Sequence, residues 1–164
     1  MTPNRKPDDP QAAAREPVDL WRHALLNAFA HALPALERRA AEPRLTRAQQ
    51  RERLRTLLAW LAGQRGFQAR RHAPMRYFEV PGQWIGGKLD LAVHARDDRP
   101  VVAIEVDWLR TRASVHKLVA ARNAGYRAVW LVDFDEARKQ ADDWMGKPTN
   151  AWLAIYRLGS GVVR

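Results

Sequence analysis

Hydrophobic residues recur at three spacings along the chain, and each spacing predicts a different kind of element. Four leucines between positions 54 and 61 follow the spacing of an amphipathic helix, which we expect from about Arg47 to Arg65. Apolar and polar residues alternate from Leu89 to His94, which predicts a half-buried strand. Residues 101–104 and 128–132 are continuously apolar, as in central strands that are buried on both faces.

Shorter patterns and turn formers complete the set of elements. Residues 1–16 are polar and rich in proline, which predicts a disordered tail. A helix from Pro17 to about Leu33 is expected to be kinked or broken by Pro34 and to continue briefly to Glu42. The other expected elements are a first strand at 67–72, a turn at 74–76, a short extended piece at 77–80, a helix capped by Ser114 and ending near Asn123, a short helix at 135–145 and a final strand at 151–158.

The order of these elements predicts an α/β fold. If the strands before and after the helix at 114–123 pair in parallel, the sheet is mixed and is flanked by helices on both faces. We expect a disordered tail at 1–16, an N-terminal helical element at 17–44 and one α/β domain at 45–164.

Composition narrows the classes of protein that fit. The 164 residues include no cysteine, which excludes disulfides and thiolate metal sites and fits a reducing cytoplasm. No stretch reaches the ~20 apolar residues of a membrane span, and the N-terminus lacks the apolar core of a signal peptide. We therefore expect a cytoplasmic protein without a membrane partner.

Charge points to a polyanionic partner. The formal net charge is +10, and residues 37–76 hold eleven arginines against three glutamates. A basic surface of this kind is typical of proteins that bind nucleic acid. An arginine-rich proteome would produce the same count without any such partner.

Three carboxylates fall where apolar residues would be less costly to bury. Asp90 lies inside the alternating strand, and Glu105 and Asp107 end the continuous one. Strand alternation puts Glu105 and Asp107 on one face, and a hairpin can bring Asp90 beside them. Such a group repels itself unless a cation lies within it, and a hard divalent ion such as Mg²⁺ or Mn²⁺ takes oxygen ligands. The alternatives are an exposed hairpin face for Asp90 and Glu105 and a strand-end cap for Asp107.

The two carboxylate segments resemble the core motif of the PD-(D/E)XK nuclease superfamily. Gly87-Lys88-Leu89-Asp90 is similar to its first half, and Ile104-Glu105-Val106-Asp107 is similar to its second half. The lysine of the family pattern would fall at position 107, where this chain has aspartate. In divergent branches the following helix supplies that lysine, and Lys117 is the candidate here.

The resemblance covers roughly residues 46–132 and implies a restriction-endonuclease-like core with an N-terminal helical extension. It implies a metal-dependent endonuclease that hydrolyses phosphodiester bonds, in DNA more than in RNA. The expected catalytic residues are Asp90, Glu105, Asp107 and Lys117. The expected ligands of Mg²⁺ or Mn²⁺ are Asp90, Glu105 and the carbonyl of Val106. The residues expected to contact nucleic acid are Lys88, Arg110, Arg112, Arg51 and Arg55.

Two other functions stay open at this point. Without a lysine at position 107, the chain could be a nuclease-fold protein that binds nucleic acid but does not cut it. It could also be an accessory subunit, working as a homodimer or in a larger protein complex. In the helix expected from about Arg47 to Arg65, Glu52 is the only acidic residue that could extend the group of carboxylates. A position on the protein surface is favoured for it.

Overall fold

The computed structural model describes residues 10–159. Within them, four helices and five strands follow one another in the order α1, α2, β1, β2, β3, α3, β4, α4, β5. Part of the predicted tail, residues 1–9, lies outside the described residues, and residues 10–16 are helical. The bounds are α1 Pro10–Ala40, α2 Arg47–Gln64, β1 Gln68–Val80, β2 Gln83–His94, β3 Pro100–Asp107, α3 Arg112–Asn123, β4 Arg127–Val132, α4 Ala137–Met145 and β5 Leu153–Arg157.

The five strands form one mixed sheet in the order β1-β2-β3-β4-β5. β1, β2 and β3 pair antiparallel, whereas β3, β4 and β5 pair parallel. The expected α/β fold with a mixed sheet is therefore confirmed, and the two strands that α3 connects pair in parallel.

A hydrophobic core covers each face of the sheet. On one face, leucines of α1 and α2 pack against alternate residues of the central strands, such as Val102 and Ile104. On the other, α3 and α4 pack against the intervening positions, including Ala103 and Trp130. Because both faces are covered, every side chain from Val101 to Asp107 is buried, and any charged residue at the end of β3 has to find its partners inside the protein.

Two prolines lie inside continuous elements that we had expected to be interrupted at those positions. α1 continues through Pro34 to Ala40, where a break or kink was expected, with Leu33 and Leu36 buried on either side of it. β1 is one strand from Gln68 to Val80, where a turn had been expected at 74–76. Pro74 is tolerated because β1 is the edge strand of the described sheet, where a missing N–H costs little.

The ends of the first helix of the α/β region match the sequence prediction, and so does the end of α3 at Asn123, but the start of α3 does not. The Thr46 side chain accepts a hydrogen bond from the main-chain amide of Gln49, and the Gln49 side chain accepts one from the main-chain amide of Thr46. Together they form a capping box. α3 begins at Arg112 after Thr111, so the prediction that Ser114 caps this helix is wrong. Ser114 lies inside the first turn and is free to serve the site instead.

Gly87 lets β1 and β2 pack tightly beside the carboxylates. The ladder runs regularly through Gly86 and Gly87, and its irregularity lies between Phe78 and Val80, so these glycines are not a bulge. A Cβ on Gly87 would lie 2.7 Å from Cε1 of Tyr77, which is buried. The ring therefore occupies the space that a side chain would need.

Gly87→Ala is expected to lower the free energy of unfolding by about 1–3 kcal/mol, because the Tyr77 ring must shift. Urea unfolding measures the effect. Gly86→Ala is the matched control, since a Cβ there meets nothing within 4 Å. Equal effects of the two variants would contradict the assigned contact.

Candidate active site

The strands β2 and β3 part where the carboxylates lie. Their ladder ends at the pair Leu91 and Ile104. Beyond it, the amide of Asp90 donates to Oε1 of Glu105 at 3.1 Å, and the amide of Val106 donates to Oδ2 of Asp90 at 2.7 Å. A main-chain amide of each strand thus donates to a carboxylate of the other strand. These two hydrogen bonds fix both carboxylates where β2 and β3 separate.

Glu105 is completely buried and is held from α3. Its Oε2 accepts from Oγ of Ser114 at 3.2 Å and from Nζ of Lys117 at 2.5 Å. Burial, followed by the negative charge of Asp90, raises the pKa of Glu105 to about 7, although Lys117 opposes the rise. Lys117 also donates to the carbonyl of Lys88 at 2.9 Å, so it joins α3 to both strands.

Asp107 lies on the same side of β3 as Glu105. Its Oδ2 accepts from Nε1 of Trp130 at 2.8 Å, and its carboxylate also has a hydrogen bond with Ser114. Burial raises the pKa of Asp107, and the hydrogen bonds from Ser114 and Trp130 oppose that rise. Ser114 therefore lies between the two carboxylates of β3.

Two arginines of α2 hold Asp90. Nη2 of Arg51 donates to Oδ2 of Asp90 at 2.7 Å, and Nη2 of Arg55 donates to Oδ1. Arg51 also lies 3.5 Å from Oδ1 of Asp107. The sequence had predicted these arginines as contacts for nucleic acid, whereas the structure directs both of them to a buried carboxylate. Positions 51 and 55 are four residues apart and therefore lie on the same face of a helix. That spacing was the signal in the sequence that both arginines could reach the same partner.

The carboxylates and their cations are balanced in number. Asp90, Glu105 and Asp107 face Arg51, Arg55 and Lys117, and this pairing offsets the cost of burying the charges. The oxygen donors suit Mg²⁺ or Mn²⁺ in kind. In the arrangement described, however, no group of three His, Asp or Glu side chains among residues 10–159 is spaced to hold an ion. Both oxygens of Asp90 are instead occupied by the guanidiniums of Arg51 and Arg55.

An open cavity of about 410 Å³ leads to this group from solvent. It lies between the first turns of α2 and the loop that follows β3. Arg47, Arg51, Arg55, Asp107, Trp108 and Thr111 line it. A phosphate group entering here would meet three guanidinium groups at the edge of the carboxylates.

Other residues singled out in the sequence lie apart from the carboxylates. Arg110 is exposed and lies 6.0 Å from the ring centroid of Phe134. Arg112 is exposed at the start of α3 and donates from Nε to Nε2 of His116 at 3.1 Å. Lys88 is exposed, and its main chain rather than its side chain touches the site.

Two further side chains have roles that the structure clarifies. Glu52 is half exposed and pairs with Arg55, Arg71 and His72, in agreement with the surface position favoured for it. His94 is buried, and its Nε2 makes a hydrogen bond with the hydroxyl of Tyr126.

No protein-family model, curated protein or solved structure matches the chain. Among the described residues, no helix is both long enough and apolar enough to cross a membrane.

Proposed function

We propose that the protein is a metal-dependent endonuclease with a restriction-endonuclease-like core, which hydrolyses phosphodiester bonds in DNA more than in RNA. The observation that carries this proposal is the contact of 2.5 Å between Nζ of Lys117 and Oε2 of Glu105. This contact places a cation of α3 beside Glu105 of β3. In the pattern of the superfamily, a lysine at position 107 would supply that cation, and this chain has Asp107 there. The cytoplasmic location and a homodimer or larger complex stay as expectations from the sequence.

Each residue of the site has a distinct part in this proposal. Asp90 and Glu105, with the carbonyl of Val106, would hold Mg²⁺ or Mn²⁺, which lowers the pKa of a bound water and neutralises charge on the phosphate. Lys117 orients the attacking water and stabilises the negative charge that develops on the phosphate oxygens. Asp107 is held by Trp130 and keeps Arg51 near the mouth of the cavity.

Arg51 controls access to Asp90 in this proposal. Its side chain is 29% exposed and reaches Asp90 from the cavity, whereas that of Arg55 is 11% exposed. Moving the Arg51 guanidinium away from Asp90 therefore loses less packing than moving that of Arg55. An incoming phosphate gives it another anion to bind, so entry of the substrate and release of Asp90 are favoured together.

Asp90→Asn and Glu105→Gln are each expected to lower Mn²⁺-dependent plasmid nicking by at least about a hundredfold, because each removes a charged ligand. Isothermal titration of Mn²⁺ into the same samples should show binding to the wild type and none to either variant. Asp143→Asn, which changes an exposed carboxylate of α4, is the control and should cut like the wild type. A folded Asp90→Asn or Glu105→Gln protein that still cuts would overturn the proposal.

A second candidate function is a nuclease-fold protein that binds nucleic acid, or assists another protein, without cutting. It is favoured by the two guanidiniums on Asp90, which already satisfy both of its oxygens. This protein would bind DNA with a steep dependence on salt concentration and would give no heat with Mn²⁺. The titration described above therefore separates the two candidates before any cleavage is measured.

A further inference from the structure

The hairpin of β1 and β2 carries an exposed face outside the carboxylate site. Register pairs Phe78 with Trp84 and Arg76 with Gly86. Side chains alternate between the faces of a strand, so Arg76 and Phe78 share a face with Trp84 and Lys88. All four are exposed, whereas Tyr77 between them is buried.

Two aromatic rings lie against each other on this exposed face. The centroids of Phe78 and Trp84 are 3.9 Å apart with 31° between their planes. Phe78 is 40% exposed and Trp84 is 56% exposed. A stacked pair gains contact between its rings but leaves their outer surfaces in water, where a third planar group can stack.

The surroundings of the pair are basic as well as apolar. Arg76 and Lys88 flank it on its own face of the hairpin. A groove of about 830 Å³ runs from the pair to α3, and Arg76, His116 and Glu79 are the ionisable residues among those that line it. The ring of His116 makes a hydrogen bond to the main chain of Phe78, which ties the hairpin to α3 at this point.

The groove and the carboxylate site share one helix. His116 and Val119 line the groove, and Lys117 between them contacts Glu105. Lys117 also donates to the carbonyl of Lys88, in the same hairpin that carries Trp84. A strand of nucleic acid lying in the groove would therefore contact the helix that carries Lys117.

We propose that Phe78 and Trp84 form a stacking platform for unpaired bases, so that the substrate class is DNA with a single-stranded segment. This inference rests on the proposed function and specifies its substrate. In a duplex both faces of each base are covered by neighbouring bases, whereas an unpaired base has a free face for an aromatic side chain. Arg76 and Lys88 supply the cations that follow the phosphate backbone beside the stacked bases. A purely apolar protein partner would have no use for these two charges.

The test uses the full chain in buffer with a chelator, so that binding is measured without cleavage. Fluorescence anisotropy compares a labelled single-stranded oligothymidylate with a labelled duplex of equal length. Phe78→Ala and Trp84→Ala are each expected to weaken binding of the single strand by at least about tenfold, because each removes a base-stacking surface. Binding of the duplex should change less than about twofold, since phosphate contacts dominate it.

Trp60→Ala is the matched control, because Trp60 is 53% exposed on α2 and lies outside the groove. Trp84→Phe should retain most of the binding, since a ring remains. Unchanged affinity in Phe78→Ala and Trp84→Ala would overturn the inference, and so would an equal loss for single strand and duplex. Mn²⁺-dependent nicking that persists alongside such a result would leave the proposed nuclease intact, so the two failures are distinguishable.

Discussion

If the protein is the proposed nuclease, Lys117→Met is expected to lower Mn²⁺-dependent nicking by at least about a hundredfold, because it removes the cation proposed to orient the attacking water. The same change takes a positive charge from buried Glu105, so the pKa of that carboxyl should rise further. Single-turnover nicking across a range of pH measures both effects. If Lys117 acts directly, activity stays low at high pH, even where Glu105 is ionised again.

The pH profile decides between this role and a merely structural one. If Lys117 only keeps Glu105 ionised, raising the pH should restore the wild-type rate to Lys117→Met. Lys139→Met, which changes an exposed lysine of α4, is the control and should leave the profile unchanged. A folded Lys117→Met protein with wild-type nicking at every pH would show that the lysine takes no part in the chemistry.

Wild-type protein is expected to lose stability as pH rises from about 4.5 to about 7, and Glu105→Gln is expected to lose much less. Burial raises the pKa of Glu105 from 4.5 to about 7, so between these values the unfolded chain releases a proton that the folded chain retains. The unfolded state then binds fewer protons, and the free energy of unfolding falls with increasing pH. The loss from this one group is on the order of 3 kcal/mol and is complete above the folded pKa.

Urea unfolding at about pH 5 and about pH 8 measures this difference between wild type and variant. Asp107, whose pKa burial also raises, leaves a smaller slope of the same sign in Glu105→Gln. Glu42→Gln changes an exposed carboxylate paired with Arg53 and should behave like the wild type. Equal slopes in wild type and Glu105→Gln would mean that Glu105 is ionised throughout this range.

The buried strands could be predicted from the sequence because their pattern has a direct physical cause. Residues 101–104 and 128–132 are apolar at every position, and both faces of those strands are covered by helices. Prolines were harder to interpret. Whether Pro74 ends a strand depends on whether that strand lies at the edge of the sheet, and Pro34 is held in a helix by buried neighbours. Both facts are tertiary and leave no local trace in the sequence.

The carboxylates of the site could be located from alternation, but their partners could not. Asp90 and Glu105 interrupt apolar strands, and such positions are unusual enough to stand out. The arginines that hold Asp90 lie 39 and 35 residues earlier in the chain. Ser114 was taken for a cap because serine is common there, whereas its spacing to Lys117 puts both side chains on one helix face. The local preference of serine for a helix cap was therefore misleading, because the Ser114 side chain instead makes a hydrogen bond to Glu105 of β3.

The crossed contacts between Asp90 and Glu105 also make the site part of the mechanics of the sheet. The amides of Asp90 and Val106 are held by carboxylates instead of carbonyls. Any ligand that draws those carboxylates toward itself releases two main-chain groups at the fork between the strands. Occupancy of the site is therefore linked to the main-chain contacts that set the spacing of β2 from β3 at this point.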